Sequence, residues 1–357
     1  MNRKKNRFEV ENGEDPTDKL TDLRPIRQKE DYNAMTTVQK IMYKIKWGIK
    51  IYCGYAFFMC VLIQICFCLF INAMFSPLYI IYRPWYQKCF QMTCEIYMQM
   101  FPFCWYYFMN NRIYKTGDDM KVNENAIWVS NHTHAWDFVA TCMTAPLHGR
   151  IGAMRFLMKE QIKNVPIIGF GLYWMDNIYL KRNFKEDKEH INMTFRRLRN
   201  KWYPFWLVVY PEGTRNRPNK VAESQEYART HNLPVFEHIV NPRPTGLLVA
   251  IQQLRHVVPY IYDITLQYGD DAHIAMVFCP NEGIDIHMNV NVIKMEDVPE
   301  DEEEMKEWLN ELWKRKDDLV GYFKVHKRFP GKGEYLPYKY VPADFTGYMK
   351  PDCFYKD

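Results

Sequence analysis

An α/β fold, a mixed sheet flanked by helices and preceded by N-terminal membrane helices, is what this sequence predicts. Three observations carry that expectation. From Ile51 to Tyr82 there is no charged residue, a run longer than the roughly 20 apolar residues that cross a bilayer as a helix. After Arg112, short β-branched or aromatic runs alternate with segments of helical periodicity. The apolar fraction, 48% of 357 residues, supplies a sizeable core as well as a membrane segment, and excludes disorder for most of the length.

Residues 1–37 are polar, charged and poor in large aliphatics, and read as a flexible tail. The apolar run begins too late, behind too long a charged segment, to be a signal peptide. Residues 38–111 read as a membrane-embedded helical region, with Pro77 marking the end of the first span or a kink in it. A second apolar stretch, Cys89 to Phe108, carries only Glu95. It could span, re-enter or lie in the interface; a buried soluble helical pair is the alternative. Lys40, Lys44, Lys46 and Lys50 precede the first span and put the N-terminus on the cytosolic side. A single crossing would then put the remainder in the lumen, whereas two crossings, or a re-entrant hairpin, would return it to the cytosol. Asn131-His132-Thr133 is a glycosylation sequon, and a glycan there would obstruct the candidate site described below, which favours the cytosol again.

Residues 112–331 form the predicted catalytic domain. Its candidate strands are Ala126–Ser130, Ile178–Leu180, Trp206–Tyr210, Val257–Tyr262 and Ile274–Cys279. Lys185–Asn200 and Val221–Thr230 read as helices, and Met305, Trp308, Leu309, Leu312, Leu319 and Phe323 recur at helical spacing behind the acidic run 300–304. Alternation of this kind indicates a mixed sheet flanked by helices. Residues 332–357 are a C-terminal extension.

The net charge of +5 comes without a basic stripe interleaved with aromatics, so nucleic acid is not an expected partner; an anionic lipid surface suits the same number. Seven of ten cysteines (Cys53, Cys60, Cys66, Cys68, Cys89, Cys94 and Cys104) fall in the apolar region without a Cys-x-x-Cys pair. They read as small apolar residues, and the chain as one facing a reducing compartment.

The sharpest local feature is Asn131-His132-Thr133-His134-Ala135-Trp136-Asp137, between a strand and a helix. On one continuous helix, His132 and Asp137 would lie roughly 140° apart. They meet only if His132 precedes the helix and Asp137 occupies its first turn. Asp137 could then hold one imidazole nitrogen while the other takes a proton from a hydroxyl. Alternatively one histidine caps the helix and Asp137 is an ordinary first-turn acid. A metal site on His132 and His134 lacks further ligands to complete it. A second constellation, Tyr210-Pro211-Glu212-Gly213-Thr214-Arg215, follows an apolar strand. Gly213 permits close approach of backbone to ligand, and Arg215 can grip a phosphate with a bidentate fork; a surface turn with a solvated arginine is the alternative. Lys181-Arg182 after Ile178–Leu180, and more weakly Lys159, are further candidates for phosphate.

Taken together, Asn-His-x4-Asp, a basic motif after a strand, and Pro-Glu-Gly-Thr-Arg resemble the glycerophospholipid acyltransferase superfamily. Val165-Pro166-Ile167-Ile168-Gly169, Asn241-Pro242-Arg243-Pro244-Thr245-Gly246 and Tyr262-Asp263-Ile264-Thr265 look like the eukaryotic 1-acyl-sn-glycerol-3-phosphate acyltransferases and lysocardiolipin acyltransferase. Asp297-Val298-Pro299-Glu300 and Lys327-Arg328-Phe329-Pro330-Gly331 look most like the epsilon form. The resemblance implies a glycerolphosphate-acyltransferase-like fold and an acyl-CoA-dependent transfer to the free hydroxyl of a lysophospholipid, with 1-acyl-sn-glycerol 3-phosphate as the broadest expectation. His132 would be the general base and Asp137 would orient it. Glu212, Gly213, Thr214 and Arg215 would bind the acceptor's glycerol phosphate, assisted by Arg182. It implies no cofactor and no metal, acyl-CoA being a substrate, and it places the protein in the endoplasmic reticulum membrane or the mitochondrial outer membrane. Two positions depart from the pattern: Phe138 stands where relatives usually have Trp, and Asn177 where they often have Gly. Acylation of lysophosphatidylinositol or lysocardiolipin, a CoA-independent transacylase, a non-catalytic lipid-binding protein and a metallohydrolase are the competing readings.

Overall fold

The computed structural model describes residues 34–175, 177–180, 184–200, 203–269 and 283–346. The predicted strand Ile274–Cys279, the pair Lys181-Arg182 and most of the N-terminal tail lie outside the described residues.

Helix α1 (Thr37–Met74) starts at a capping box: Gln39 N–H donates to Thr36 Oγ1, and Thr36 N–H to Gln39 Oε1. Its 38 residues bury only Val61 and Asn72. Among the described residues it is the one helix long and apolar enough to cross a bilayer. Pro77 does not kink it. The helix ends at Met74, and Pro77 opens the short α2 (Ser76–Ile81), where the missing N–H is harmless. Helix α3 (Arg83–Tyr107) covers the second apolar stretch but does not stand free of the domain. Gln91 Nε2 donates to Gly152 O, Gln91 Oε1 accepts from Arg155, and Glu95 accepts from Tyr340 OH and Ala343 N–H. Glu95 therefore fastens the helix to the domain, and only the face bearing Met92, Ile96, Phe103 and Tyr107 remains exposed.

Eight strands follow: β1 (Arg112–Gly117), β2 (Ala126–Ser130), β3 (Met154–Lys159), β4 (Ile178–Leu180), β5 (Trp206–Val209), β6 (Tyr260–Tyr268), β7 (Asp285–Lys294) and β8 (Glu334–Leu336). They form one sheet in the order β4-β3-β5-β2-β6-β7-β1-β8. The β4-β3-β5-β2-β6 block is parallel, β6 meets β7 antiparallel, and β8 pairs antiparallel with β1, so the sheet is mixed and the C-terminal segment is part of it. Alternation sets its two faces. Ile127, Val129, Leu207 and Val209 meet α6 (Phe184–Arg199), α8 (Pro244–Leu254) and α9 (Glu302–His326), whereas Trp128, Trp206 and Tyr262 meet α3 and α4 (Asp137–Thr144). The remaining helices are α5 (Ile168–Trp174), which packs on α1, and α7 (Pro218–Thr230).

Both departures from the family pattern have places here. The buried Asn177 accepts from Phe156 N–H and donates to Leu172 O, joining β3 to α5. Phe138 packs edge-on against Trp105 of α3.

Candidate active site

The C-terminal ends of β5, β2 and β6 lie side by side, and the chain leaving each carries chemistry. At the end of β2, the Asn131 amide mimics one more ladder pair: Nδ2 donates to Leu266 O and Oδ1 accepts from Leu266 N–H. This closes the strand and frees the following backbone to turn. Asn131 is wholly buried, so the sequon is not open to a glycan in the folded protein.

His132 precedes α4, and Asp137 occupies its first turn, the arrangement in which the two can meet. His132 Nδ1 lies 2.7 Å from Asp137 Oδ2. The Asp137 carboxylate is saturated with donors: His134 N–H at 2.9 and 3.0 Å, Thr133 Oγ1–H at 3.2 Å and Tyr268 O–H at 2.6 Å. Burial and the charge of Asp137 push the Tyr268 phenol well above its ordinary range, which keeps it a donor. The Asp137 side chain is wholly buried, whereas that of His132 is 24% exposed, so the imidazole can be reached from outside. With Nδ1 held by a carboxylate, Nε2 is the nitrogen left to take a proton. The Tyr210 ring lies 4.8 Å from that of His132, centre to centre, and limits its rotation.

The Pro211–Asn216 loop leaves β5 beside this turn and is bolted to it. Asn216 N–H donates to His132 O at 2.6 Å, and His132 N–H donates to Glu212 Oε2 at 3.1 Å. Glu212 thus lies beneath the loop: it is wholly buried, and its Oε1 has no hydrogen-bond partner among the described residues. Burial foremost, with Asp137 nearby, pushes its carboxyl up to about 8 against the opposing pull of the His132 N–H and Lys316. Gly213 turns the loop with a φ of 63°, a conformation that favours glycine. It leaves Gly213 exposed, with Thr214 and Arg215 half-buried after it. Arg182 lies outside the described residues, and among those described no group of three His, Cys, Asp or Glu side chains converges as metal ligands would.

Several supporting residues escaped the sequence reading. Lys316 of α9 is wholly buried, with Nζ 2.5 Å from both Asp263 Oδ1 and Ile264 O. Desolvation lowers its pKa, and Asp263 opposes that. The neighbouring Asp317 accepts from the Glu237, His238 and Ile239 N–H groups, and His238 O in turn accepts from Asn216 Nδ2. Helix α9 is therefore the buttress of the site as well as packing. The signal was present: Lys316 falls on the apolar stripe of Met305, Leu309 and Leu312, where an unpaired cation is not tolerated. Tyr268 was hidden because β6 runs six residues beyond the expected end at Tyr262.

Two family models match in register with these features. The acyltransferase model covers residues 112–263, and the acyltransferase C-terminus model residues 278–345. The chain belongs to the glycerophospholipid acyltransferase superfamily. Among curated relatives, 1-acyl-sn-glycerol-3-phosphate acyltransferase 2 of Brassica oleracea is 30% identical over 59% of this chain and 54% of its own length. The gamma acyltransferase of Homo sapiens is 31% identical over 58% of this chain and 56% of its own length. The epsilon acyltransferase of Mus musculus is 27% identical over 69% and 73%. The chain thus spans about half the length of the first two. The crystal structure of a 1-acyl-sn-glycerophosphate acyltransferase from Thermotoga maritima aligns with a TM-score of 0.43 at 13% identity, over 76% of this chain and 98% of that one. The His132–Asp137 turn and the Pro211–Asn216 loop both lie within the acyltransferase domain.

Proposed function

We propose that this acyltransferase moves a fatty acyl group from acyl-CoA to the free hydroxyl of 1-acyl-sn-glycerol 3-phosphate, giving phosphatidic acid. The observation that carries the reading is a reachable imidazole, held at Nδ1 by a buried carboxylate, beside a loop that presents an arginine. Nε2 of His132 takes the acceptor's hydroxyl proton as its oxygen attacks the thioester carbonyl. The tetrahedral adduct collapses by breaking the carbon–sulfur bond, and the proton on His132 passes to the departing thiolate of CoA. No covalent enzyme intermediate is needed, because the thioester is already activated. Asp137 fixes the ring's orientation and stabilises the imidazolium formed in transit. Gly213, Thr214 and Arg215, with Arg182, bind the glycerol phosphate, and Glu212 acts on them by positioning the loop. The protein sits in the membrane of the endoplasmic reticulum, where α1 together with the exposed face of α3 meets the lipid.

The test is acyl transfer by membranes carrying the protein, with labelled oleoyl-CoA and a panel of lysophospholipids. Label should enter phosphatidic acid only when acyl-CoA and lysophosphatidate are both present. Transfer that proceeds without acyl-CoA, drawing on another phospholipid, would point to a transacylase. Preferred labelling of lysophosphatidylinositol or lysocardiolipin would move the function to phospholipid remodelling.

A further inference from the structure

Among the described residues, three arginine side chains show no hydrogen bond, ion pair or ring contact: Arg215, Arg217 and Arg243. Every other arginine whose side chain is described has such a partner. The three converge on one loop. Arg215 and Arg217 follow Gly213 directly, and Arg243 comes from a distant segment whose backbone is pinned there, its N–H donating to Pro211 O at 2.8 Å. A β-carbon on Gly213 would lie 3.5 Å from Arg243 Cδ and 3.8 Å from its Nε, so the Arg243 side chain lies across the glycine.

Among the described residues no ion pair engages these three side chains. Between residues 210 and 217, and between 241 and 245, the only acid is Glu212. It is buried beneath the loop, and burial raises it to about 8, so at neutral pH it is mostly uncharged. Three unengaged arginines, two carried by the loop and the third lying across its exposed glycine, make a receptor for a compact, multiply charged anion. A phosphomonoester carries roughly −1.5 to −2 at pH 7, whereas a phosphodiester headgroup carries one charge.

We propose that Arg243 is a headgroup-selecting residue, completing with Arg215 and Arg217 a clamp for a terminal phosphomonoester on the acceptor and so favouring it over phosphodiester lysolipids. This rests on the acceptor reading above and goes beyond it by naming what makes the choice. Segment 241–245 belongs to neither principal motif, and its backbone is fastened to the loop where Arg243 N–H donates to Pro211 O.

The experiment compares lysophosphatidate with its phosphomethyl ester, an acceptor of nearly equal size carrying one charge fewer. KM and kcat are measured for each, and for oleoyl-CoA, with the unsubstituted protein, Arg243→Gln and Arg243→Lys. Removing one bidentate partner should raise KM for lysophosphatidate about tenfold. It should leave KM for the methyl ester within about twofold and KM for oleoyl-CoA unchanged. Arg243→Lys, which keeps the charge and loses the fork, should fall between. The oleoyl-CoA constant and thermal unfolding report an intact fold; should the Gln variant fail there, the Lys variant carries the same comparison. Three results would overturn the proposal: no change with lysophosphatidate, an equal loss with both acceptors, or a rise in KM for oleoyl-CoA instead, which would assign Arg243 to the CoA phosphates. No transfer to lysophosphatidate by the unsubstituted protein, with transfer to a diester lysolipid, would overturn the acceptor reading and this selection together.

Discussion

The turn from Asn131 to Asp137 and the rim formed by Gly213 to Arg217 with Arg243 adjoin each other, yet they are built on opposite rules. In the turn, Asp137 receives four groups of donors, Asn131 is paired on both sides of its amide, and the His132 backbone is held at N–H and at C=O. On the rim, the side chains of three arginines have no hydrogen-bond or ion-pair partner among the described residues. The difference separates two tasks. A proton-transferring group must be in place before substrate arrives, because misplacement by an ångström forfeits much of the rate. A charge that binds substrate must stay unpaired until the substrate comes, because an internal carboxylate would compete with it.

Substitutions on the two sides should therefore fail in different ways. The largest effect belongs to the turn. His132→Ala should lower kcat by about a thousandfold or more while membrane insertion and acceptor binding persist. Single-turnover acyl transfer checks this, and activity near that of the unsubstituted protein would remove His132 as the base. On the rim, Arg215→Lys should raise KM for lysophosphatidate about five- to tenfold with kcat nearly unchanged, since a point charge replaces a planar fork. Unaltered kinetics with every lysophospholipid would take Arg215 out of the phosphate site.

The turn was more legible in the sequence than what supports it. His132 and Asp137, five residues apart at a strand-to-helix junction, can meet in one way only, and local chain geometry supplies it. Strands Ala126–Ser130 and Ile178–Leu180 were likewise fixed by short apolar runs, and both stand as read. What stayed hidden came from long range. Strand β3 carries Arg155 and Lys159 and owes its burial to neighbours on both sides, while β7 alternates Asn and His with apolar residues and pairs through β6. The acceptor role for Glu212 followed from its place in a motif; its complete burial beneath the loop, near Lys316 of α9, did not. Tyr268, in contact with Asp137, lies 131 residues away in sequence.

Tyr268 tests whether the saturation of Asp137 matters to catalysis. Tyr268→Phe removes one donor and little volume. kcat should fall about fivefold, near the net value of one hydrogen bond of about 1 kcal/mol, with both KM values steady. A carboxylate with one donor fewer attracts the imidazolium more strongly, so the acid limb of the pH–rate profile should move to higher pH. A fall in kcat without that movement would make Tyr268 a packing residue only.

Glu212 joins the two regions and supplies the smallest effect, read in stability and not in rate. Its carboxyl lies near 8 in the folded protein, against an ordinary 4.5. Between those values the folded state keeps a proton that the unfolded state has released, so the stability contributed by this group is complete below pH 4.5 and declines as pH rises toward 8. The slope is at most about 1.4 kcal/mol per pH unit. The half-buried His148 and the buried His287, both lowered to about 4 chiefly by desolvation, act in the opposite direction at lower pH: stability is lost as pH falls from their ordinary 6.5 toward 4. Their contributions are common to the unsubstituted protein and to Glu212→Gln, and cancel in the difference between them. Denaturant unfolding in detergent at pH 5 to 8 should therefore show the Gln variant gaining on the unsubstituted protein as pH rises. A difference that stays flat would mean that Glu212 keeps its charge in the folded state, with Lys316 and the His132 N–H, in place of a proton, balancing it.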